Sequence, residues 1–338
     1  MPARRVHHLL VAGLVLLSLT FWGYGQVLYL LAPANPAAAE KVEVLIPSGA
    51  STKEIAFLLG QKGLIKNSFL FRVLVSWIGF DGRLQAGDYL LSPGMTPREI
   101  ALHLKNGDVI MLSFTIPEGY RVEQVTKLLA EKGFGDRTAF EAAAREKTLV
   151  TTFVGTVPPT EEPLEGFLYP DTYRFPKGYS EREIIKMMVD RFLQVFAGVA
   201  EKSGSARLTP YETLILASII EKEAMADEER PLISAVYHNR LSIGMKLDAD
   251  PTVRYGLKKF TGPLTSKDLS TPSSYNTYLN PGLPPGPIAN PGRASLEAAL
   301  SPIPVDFFYF VSKNDGTHAF SRTYQEHLIA VSKYQRGH

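Results

Sequence analysis

The chain has no cysteine among its 338 residues. That excludes disulfide staples, thiolate metal sites, a cysteine nucleophile and a lipid-modified N-terminal cysteine. It also lacks a surplus of either charge, since 36 basic and 34 acidic residues leave a formal charge of +2. With 45% hydrophobic and 21% charged residues it has the composition of a globular protein, not of a polycation that would bind nucleic acid. Its seven histidines show neither a His-Glu-x-x-His motif nor another paired spacing, so zinc is not expected. A Gly-x-Ser-x-Gly nucleophile elbow and a Gly-x-x-x-x-Gly-Lys phosphate loop are missing too. No metal or organic cofactor is expected, and the chemistry left to the chain is that of its carboxyl groups.

Charge is also missing from one long stretch. Behind Arg4 and Arg5 an uncharged run extends from Leu9 to Ala32, and the first acid is Glu40. A hydrocarbon core needs about 20 apolar residues, which this run supplies. Trp22, Tyr24 and Tyr29 stand toward its far end, where amphipathic rings favour the membrane interface, and the arginines keep the N-terminus cytoplasmic. The rival reading is a cleaved signal peptide ending at Ala37-Ala38-Ala39, but the apolar run exceeds the roughly 7–15 residues of such a segment. The chain is thus expected to have a tail over residues 1–8, a transmembrane helix over 9–32 and a Pro/Ala linker over 33–41, with everything beyond facing outward.

An internal echo follows. Ile46-Pro47-Ser48-Gly49 leads into a segment ending Leu58-Leu59-Gly60-Gln61-Lys62-Gly63, and seventy positions later Ile116-Pro117-Glu118-Gly119 leads into Leu128-Leu129-Ala130-Glu131-Lys132-Gly133. A weaker copy starts at Gly94-Met95-Thr96. Each predicts a short strand, a glycine turn and an amphipathic helix. Units of this kind look like LysM-type modules, which hold N-acetylglucosamine chains; the alternative is a packing unit that never touches sugar. The expected organisation is a LysM-like module over 42–112, a connecting subdomain over 113–205 and a catalytic domain over 206–338. The fold class is α+β, with the transmembrane helix, the module and a mixed α/β C-terminal domain.

The segment Thr209-Pro210-Tyr211-Glu212 opens a helix with a Thr N-cap, Pro at the first position and a Glu that closes a capping box. The uncharged run Leu214 to Ile220 implies burial on nearly all sides, yet the helix ends Glu221-Lys222-Glu223-Ala224. Glu221 and Glu223 are about 200° apart around the axis and cannot share one environment. Glu223 extends the stripe of Leu216, Ile219 and Ile220, where desolvation raises a carboxyl toward the range of a working general acid. Glu221 stacks over Ala217 and Ser218, which suits either a structural hydrogen bond or a second site carboxylate. A second helix is expected from Glu228, with Asn239 as an inward amide that either caps a loop or orients an acetamido sugar. Asp248-Ala249-Asp250-Pro251-Thr252 lacks the glycine and distal Glu of a calcium loop. Tyr275-Asn276-Thr277-Tyr278, followed by Gly282-Leu283-Pro284-Pro285-Gly286, is a stiff aromatic loop of the kind a sugar groove needs.

Taken in order, these segments resemble the endolytic murein transglycosylase family of YceG-like (MltG) proteins. The matching pieces are Glu165 to Tyr173, Ala217 to Glu223, Asn239-Arg240-Leu241, Asp250 to Gly256, Tyr275 to Tyr278 and Gly282 to Gly286. The resemblance implies that Glu223 is catalytic and that the MurNAc–GlcNAc bond is cleaved within a glycan strand to leave a 1,6-anhydroMurNAc end. It implies substrate-binding positions at Glu165, Glu221, Asn239, Arg240, Asp250, Thr252, Tyr275, Asn276 and Tyr278. Peptidoglycan is then the substrate, the bacterial inner membrane the location, and peptidoglycan synthases the expected neighbours. Ala224 stands where the family usually has Thr, and Asp248-Ala249-Asp250 where many members have Gln-Thr-Asp. One residue suffices as acid and then base, because the attacking C6 hydroxyl belongs to the substrate. The competing readings are a muramidase-type hydrolase with Asp250 or Asp171 as second carboxylate, and a glycan-binding scaffold without enzymatic activity.

Overall fold

The computed structural model describes residues 2–154, 160–203 and 207–335. Helix α1, Pro2–Leu30, is unbroken, so the segment expected as a tail over 1–8 is helical from residue 2. The side chains of Arg4 and Arg5 lie outside the described residues. By length and composition, Gly13–Leu30 of α1 can cross a membrane, and none of it is buried against protein.

The described chain divides into two units, residues 1–113 with 174–179, and residues 114–173 with 180–338. Residues 113 and 174–179 of the segment 113–205 belong to the first unit, and the rest of that segment shares the second unit with 206–338. Beyond α1, the first unit runs strand–helix–helix–strand–helix: β1 (Val42–Ile46), α2 (Thr52–Gln61), α3 (Ser68–Trp77), β2 (Gly87–Leu91) and α4 (Pro97–Asn106). The two strands pair antiparallel from Val42↔Leu91 to Ile46↔Gly87. Alternation sends Val44 and Ile46 inward, to a core shared with Ile55, Leu59, Phe71, Tyr89 and Leu104. Capping boxes at Ser51/Glu54 and Thr96/Glu99 start α2 and α4 where the sequence echo places helices.

The echo reaches the second unit in the same local form. Strand β3 (Met111–Thr115), within which the units divide, is followed by a turn with Gly119 at φ 72°, matching Gly49 at φ 76° after β1. Only glycine adopts that region without strain. Then come α5 (Val122–Glu131), α6 (Arg137–Ala144), the short α7 (Thr151–Val154), β4 (Thr172–Pro176), which pairs with β3, and the long α8 (Glu181–Ala200). Phe153 meets Phe167, Phe192 and Phe196, and Phe167 meets Phe192, edge to face at 4.8–5.6 Å, the arrangement aromatic quadrupoles favour.

Helix α9 (Pro210–Glu223) is the axis of the second unit, buried from Thr213 to Ile220. Around it lie α10 (Arg230–Ser242), α11 (Asp250–Gly256), α12 (Ser266–Leu269), α13 (Arg293–Leu300), the hairpin β5 (Tyr309–Ser312) and β6 (His318–Ser321), and α14 (Tyr324–Gln335). A 3-10 turn over Asp227–Glu229 takes up the acids expected to open α10, which itself starts at Arg230.

Candidate active site

The N-terminus of α9 forms as its sequence dictates: Thr209 Oγ1 accepts the Glu212 N–H at 3.3 Å, and Glu212 Oε2 accepts the Thr209 N–H at 2.8 Å. At the other end Ala224 is extended, at φ −73° and ψ 125°, and its N–H closes the last helical bond to Ile220. The chain leaves the helix directly after Glu223, which presents that carboxyl at the helix terminus.

Glu223 keeps partial contact with solvent, yet protein surrounds the carboxyl closely enough that burial pushes it up to about 7. The charge of Asp250 pushes the same way, while a hydrogen bond from Tyr237 and the charge of Arg240 oppose the rise. The partial negative charge at the C-terminal end of α9 also disfavours the carboxylate. Tyr237 Oη donates to Glu223 Oε1 at 2.9 Å, from a ring that is 1% exposed on α10. Asp250, at the start of α11, accepts the Tyr278 hydroxyl at 2.7 Å and is itself exposed. The Glu223 site thus comprises a neutral-range acid, a buried phenol that holds it, and an exposed carboxylate held by a second phenol.

Two residues earlier, Glu221 is differently placed. Its side chain is 7% exposed, and Oε2 accepts the Ser295 hydroxyl at 2.7 Å and the Gly292 N–H at 3.1 Å, with Arg230 Nη1 at 3.5 Å. Gly292 is the N-cap of α13, so Glu221 supplies a negative charge where that helix leaves N–H groups unpaired.

Several other predicted site residues turn toward backbone. Asn239 donates to the carbonyls of Val305 and Phe307 at 2.8 and 2.9 Å. Arg240 donates to Phe308 O at 2.7 Å and Leu247 O at 2.8 Å, and pairs with Asp248 at 3.3 Å. Asp248 adopts φ 49°, a left-handed conformation that Asp tolerates better than most residues. Thr252 is fully buried, bonded to Ala249 O and to the Thr277 hydroxyl. Asn276 ties the carbonyls of Leu269 and Thr271 and accepts the Tyr278 N–H. Arg240, Thr252 and Asn276 shape the segments that carry Asp250 and Tyr278, while Asn239 holds the stretch before β5.

Glu165 and Tyr275 belong to a different place. Glu165, 3% exposed, accepts the Val122 N–H and the Tyr255 hydroxyl, each at 3.1 Å. Burial pushes it up to about 8. It lines a cavity of about 680 Å³ together with Arg121, Tyr255, Phe260 and Tyr275, and Glu223 is not in that lining. Asp171 is held by Arg191 Nε at 2.8 Å. Among the described residues no group of three or more His, Cys, Asp or Glu side chains is arranged to hold a metal ion.

Sequence reasoning missed Tyr237. The signal was its own hydroxyl, since a tyrosine on an apolar helix face must find a partner when buried.

Comparison with known proteins places these features. A family model described as the YceG-like family matches residues 44–333. The chain is 34% identical over 328 residues to a Bacillus subtilis (strain 168) protein named endolytic murein transglycosylase, covering 92% of this chain and 90% of that protein. It is 28% identical over 345 residues to a protein of the same name from Streptococcus pneumoniae (strain ATCC BAA-255 / R6), covering 93% of this chain and 62% of that longer protein. The fold matches a crystal structure of a YceG-like protein from Listeria monocytogenes with a TM-score of 0.58 and 35% identity, over 86% of this chain and 99% of the other.

Proposed function

Because this chain belongs to the YceG-like family, we propose that it is an endolytic lytic transglycosylase with Glu223 as its single acid/base residue. It cleaves the MurNAc–GlcNAc bond within peptidoglycan strands and leaves 1,6-anhydroMurNAc ends. The observation that carries this reading is the accessible Glu223, pushed up to about 7 by burial and held by Tyr237.

Near neutral pH such a carboxyl is present in both forms, as a group that must give and then take a proton requires. Protonated Glu223 donates to the glycosidic oxygen as the bond to the muramyl C1 breaks. The resulting carboxylate then accepts the proton of the muramyl C6 hydroxyl as that oxygen bonds to C1. No water is consumed, and the carboxyl ends as it began. Tyr237 fixes the orientation of Glu223 throughout. Asp250 and Tyr278 offer sugar hydroxyls an acceptor and a phenol beside the acid. Arg240, Thr252 and Asn276 contribute by holding the segments on which those groups stand, Asn239 by holding the stretch before β5, and Glu221 by fastening α9 to α13.

The proximity of Asp250 to Glu223 also favours a second reading, a hydrolase with Asp250 activating water. Digestion of purified glycan strands in water labelled with heavy oxygen separates the two. Anhydromuramyl ends free of label are expected; labelled reducing muramic acid refutes the transglycosylase reading.

The strand–helix–helix–strand order of the first unit supports the LysM-like reading, as does a cavity of about 390 Å³ lined by the turn after β1 and the loop before β2. Its role is to hold glycan for the second unit. Helix α1 anchors the chain in the cytoplasmic membrane, with both units on the outer side beside the synthases that extrude new strands.

A further inference from the structure

The cleft at Glu165 is furnished beyond what packing requires. Tyr255 and Tyr275 form one wall with ring centroids 4.8 Å apart. The Arg121 guanidinium lies over the Phe260 ring and is 3.6 Å from the largely exposed Glu123. Arg121 Nε, however, is buried and has no hydrogen-bond partner among the described residues. Leaving a buried donor unmet is costly, the more so on a charged group. Arg121 nevertheless lines the cleft, so a ligand there meets the edge of a guanidinium.

Charge limits what that ligand is. Glu123, Glu161 and Glu162 line the cleft against Arg121 and Lys258, so an anion finds no net attraction there. Glu165, raised to about 8, adds no charge at neutral pH. A neutral group with a carbonyl acceptor, an N–H donor, hydroxyls and an apolar face fits every wall: the carbonyl to Arg121, the N–H and hydroxyls to the rim carboxylates and Ser273, the ring face to tyrosine. An acetamido sugar has all four.

The structure assigns this cleft, we infer, as a second carbohydrate subsite that takes an N-acetylhexosamine ring of the bound strand, with its acetamido carbonyl toward the Arg121 guanidinium. The inference rests on the peptidoglycan reading for its substrate class. The hydroxyls of Tyr275 and Tyr211 both crowd Gly286, 3.0 and 3.1 Å from where a Cβ would stand. Tyr211 opens α9 and Glu223 closes it, about 18 Å away at 1.5 Å per residue. A ring in the cleft is therefore several sugars from the bond being cut. Binding energy from so remote a ring is available only with a long strand, which ties the cleft to cleavage inside strands.

The test uses the full chain in detergent carrying Glu223→Gln, so that binding is read without cleavage. Chitin oligomers of three and six residues are titrated, with a free stem pentapeptide as a third probe. The hexamer is expected to bind roughly tenfold more tightly than the trimer, the effect of one hydrogen bond to a charged donor plus ring contact. Arg121→Met should remove that increment. Ser274→Trp, which plugs the cleft from an exposed loop position, should do the same and decides the matter if Arg121→Met fails to fold. Equal hexamer binding in parent and variants, or no gain from trimer to hexamer in the parent, overturns the subsite. Pentapeptide binding that Ser274→Trp abolishes overturns the sugar assignment. If Glu223→Gln still cleaves, the proposed catalytic role fails while the length dependence continues to decide the cleft.

Discussion

Glu165 and Glu223 have much in common. Each is a carboxyl pushed above its ordinary range by burial, to about 8 and about 7, and each accepts a hydrogen bond from a tyrosine hydroxyl, Tyr255 and Tyr237. What separates them is access and company. Glu165 is nearly sealed and also takes the Val122 N–H, whereas Glu223 retains solvent contact at a helix end beside Asp250. A raised pKa alone therefore does not locate an active site. It must coincide with a carboxyl that is itself open to contact.

The strongest way to break this contrast is to neutralise each acid in turn. Glu223→Gln should lower the rate of anhydromuramyl end formation by about 100-fold or more, with an unchanged circular dichroism spectrum. Glu165→Gln should cost far less on short strands; an equal loss would make the two acids partners. Glu221→Gln comes next, because it weakens the buried clamp on Ser295, Gly292 and Arg230. A loss of about 1–3 kcal/mol in unfolding free energy is expected in urea denaturation.

Smaller effects sharpen the comparison. The Tyr237 hydrogen bond favours the Glu223 carboxylate, so Tyr237→Phe should raise its pKa and shift the alkaline limb of the kcat/KM profile to higher pH. A limb that stays in place, or moves down, would show that Tyr237 does not tune Glu223. Smallest is the pH dependence of stability. Both acids bind a proton more tightly folded than unfolded, so their protonation favours the folded state at low pH. Stability should fall as pH rises from about 4.5, through about 7 for Glu223 and about 8 for Glu165. Glu165→Gln should flatten the last part of that fall, between pH 7 and 8, in thermal melts.

Much of this was legible from local pattern. The capping box at Thr209, the stripe ending at Glu223, the three strand–turn–helix copies and the apolar N-terminal run are all written within short windows of sequence. What Asn239 and Arg240 do was not, because their partners are set by tertiary packing. Asn239 and Arg240 reach carbonyls 66–68 positions away, and no periodicity announces such a meeting. The separation of Glu165 and Tyr275 from Glu223 was hidden for the same reason: motif order says nothing of which side of α9 a loop returns to. Arg121, with its unmet Nε, sits outside every motif.

The linker over residues 33–41 gives a last consequence. It is not slack: Asn35 N–H bonds Pro93 O at 2.9 Å, Ser92 bonds Ala38 O at 3.0 Å, and Lys66 lies over the Tyr29 ring at the end of α1. A leash of that length left free would let the first unit roam a hemisphere. Pinned in this way it is a stalk that holds the first unit at a set distance from the end of α1. With α1 in a bilayer, diffusion would sweep that unit through a thin slab parallel to the surface, and anything farther out would be beyond its reach.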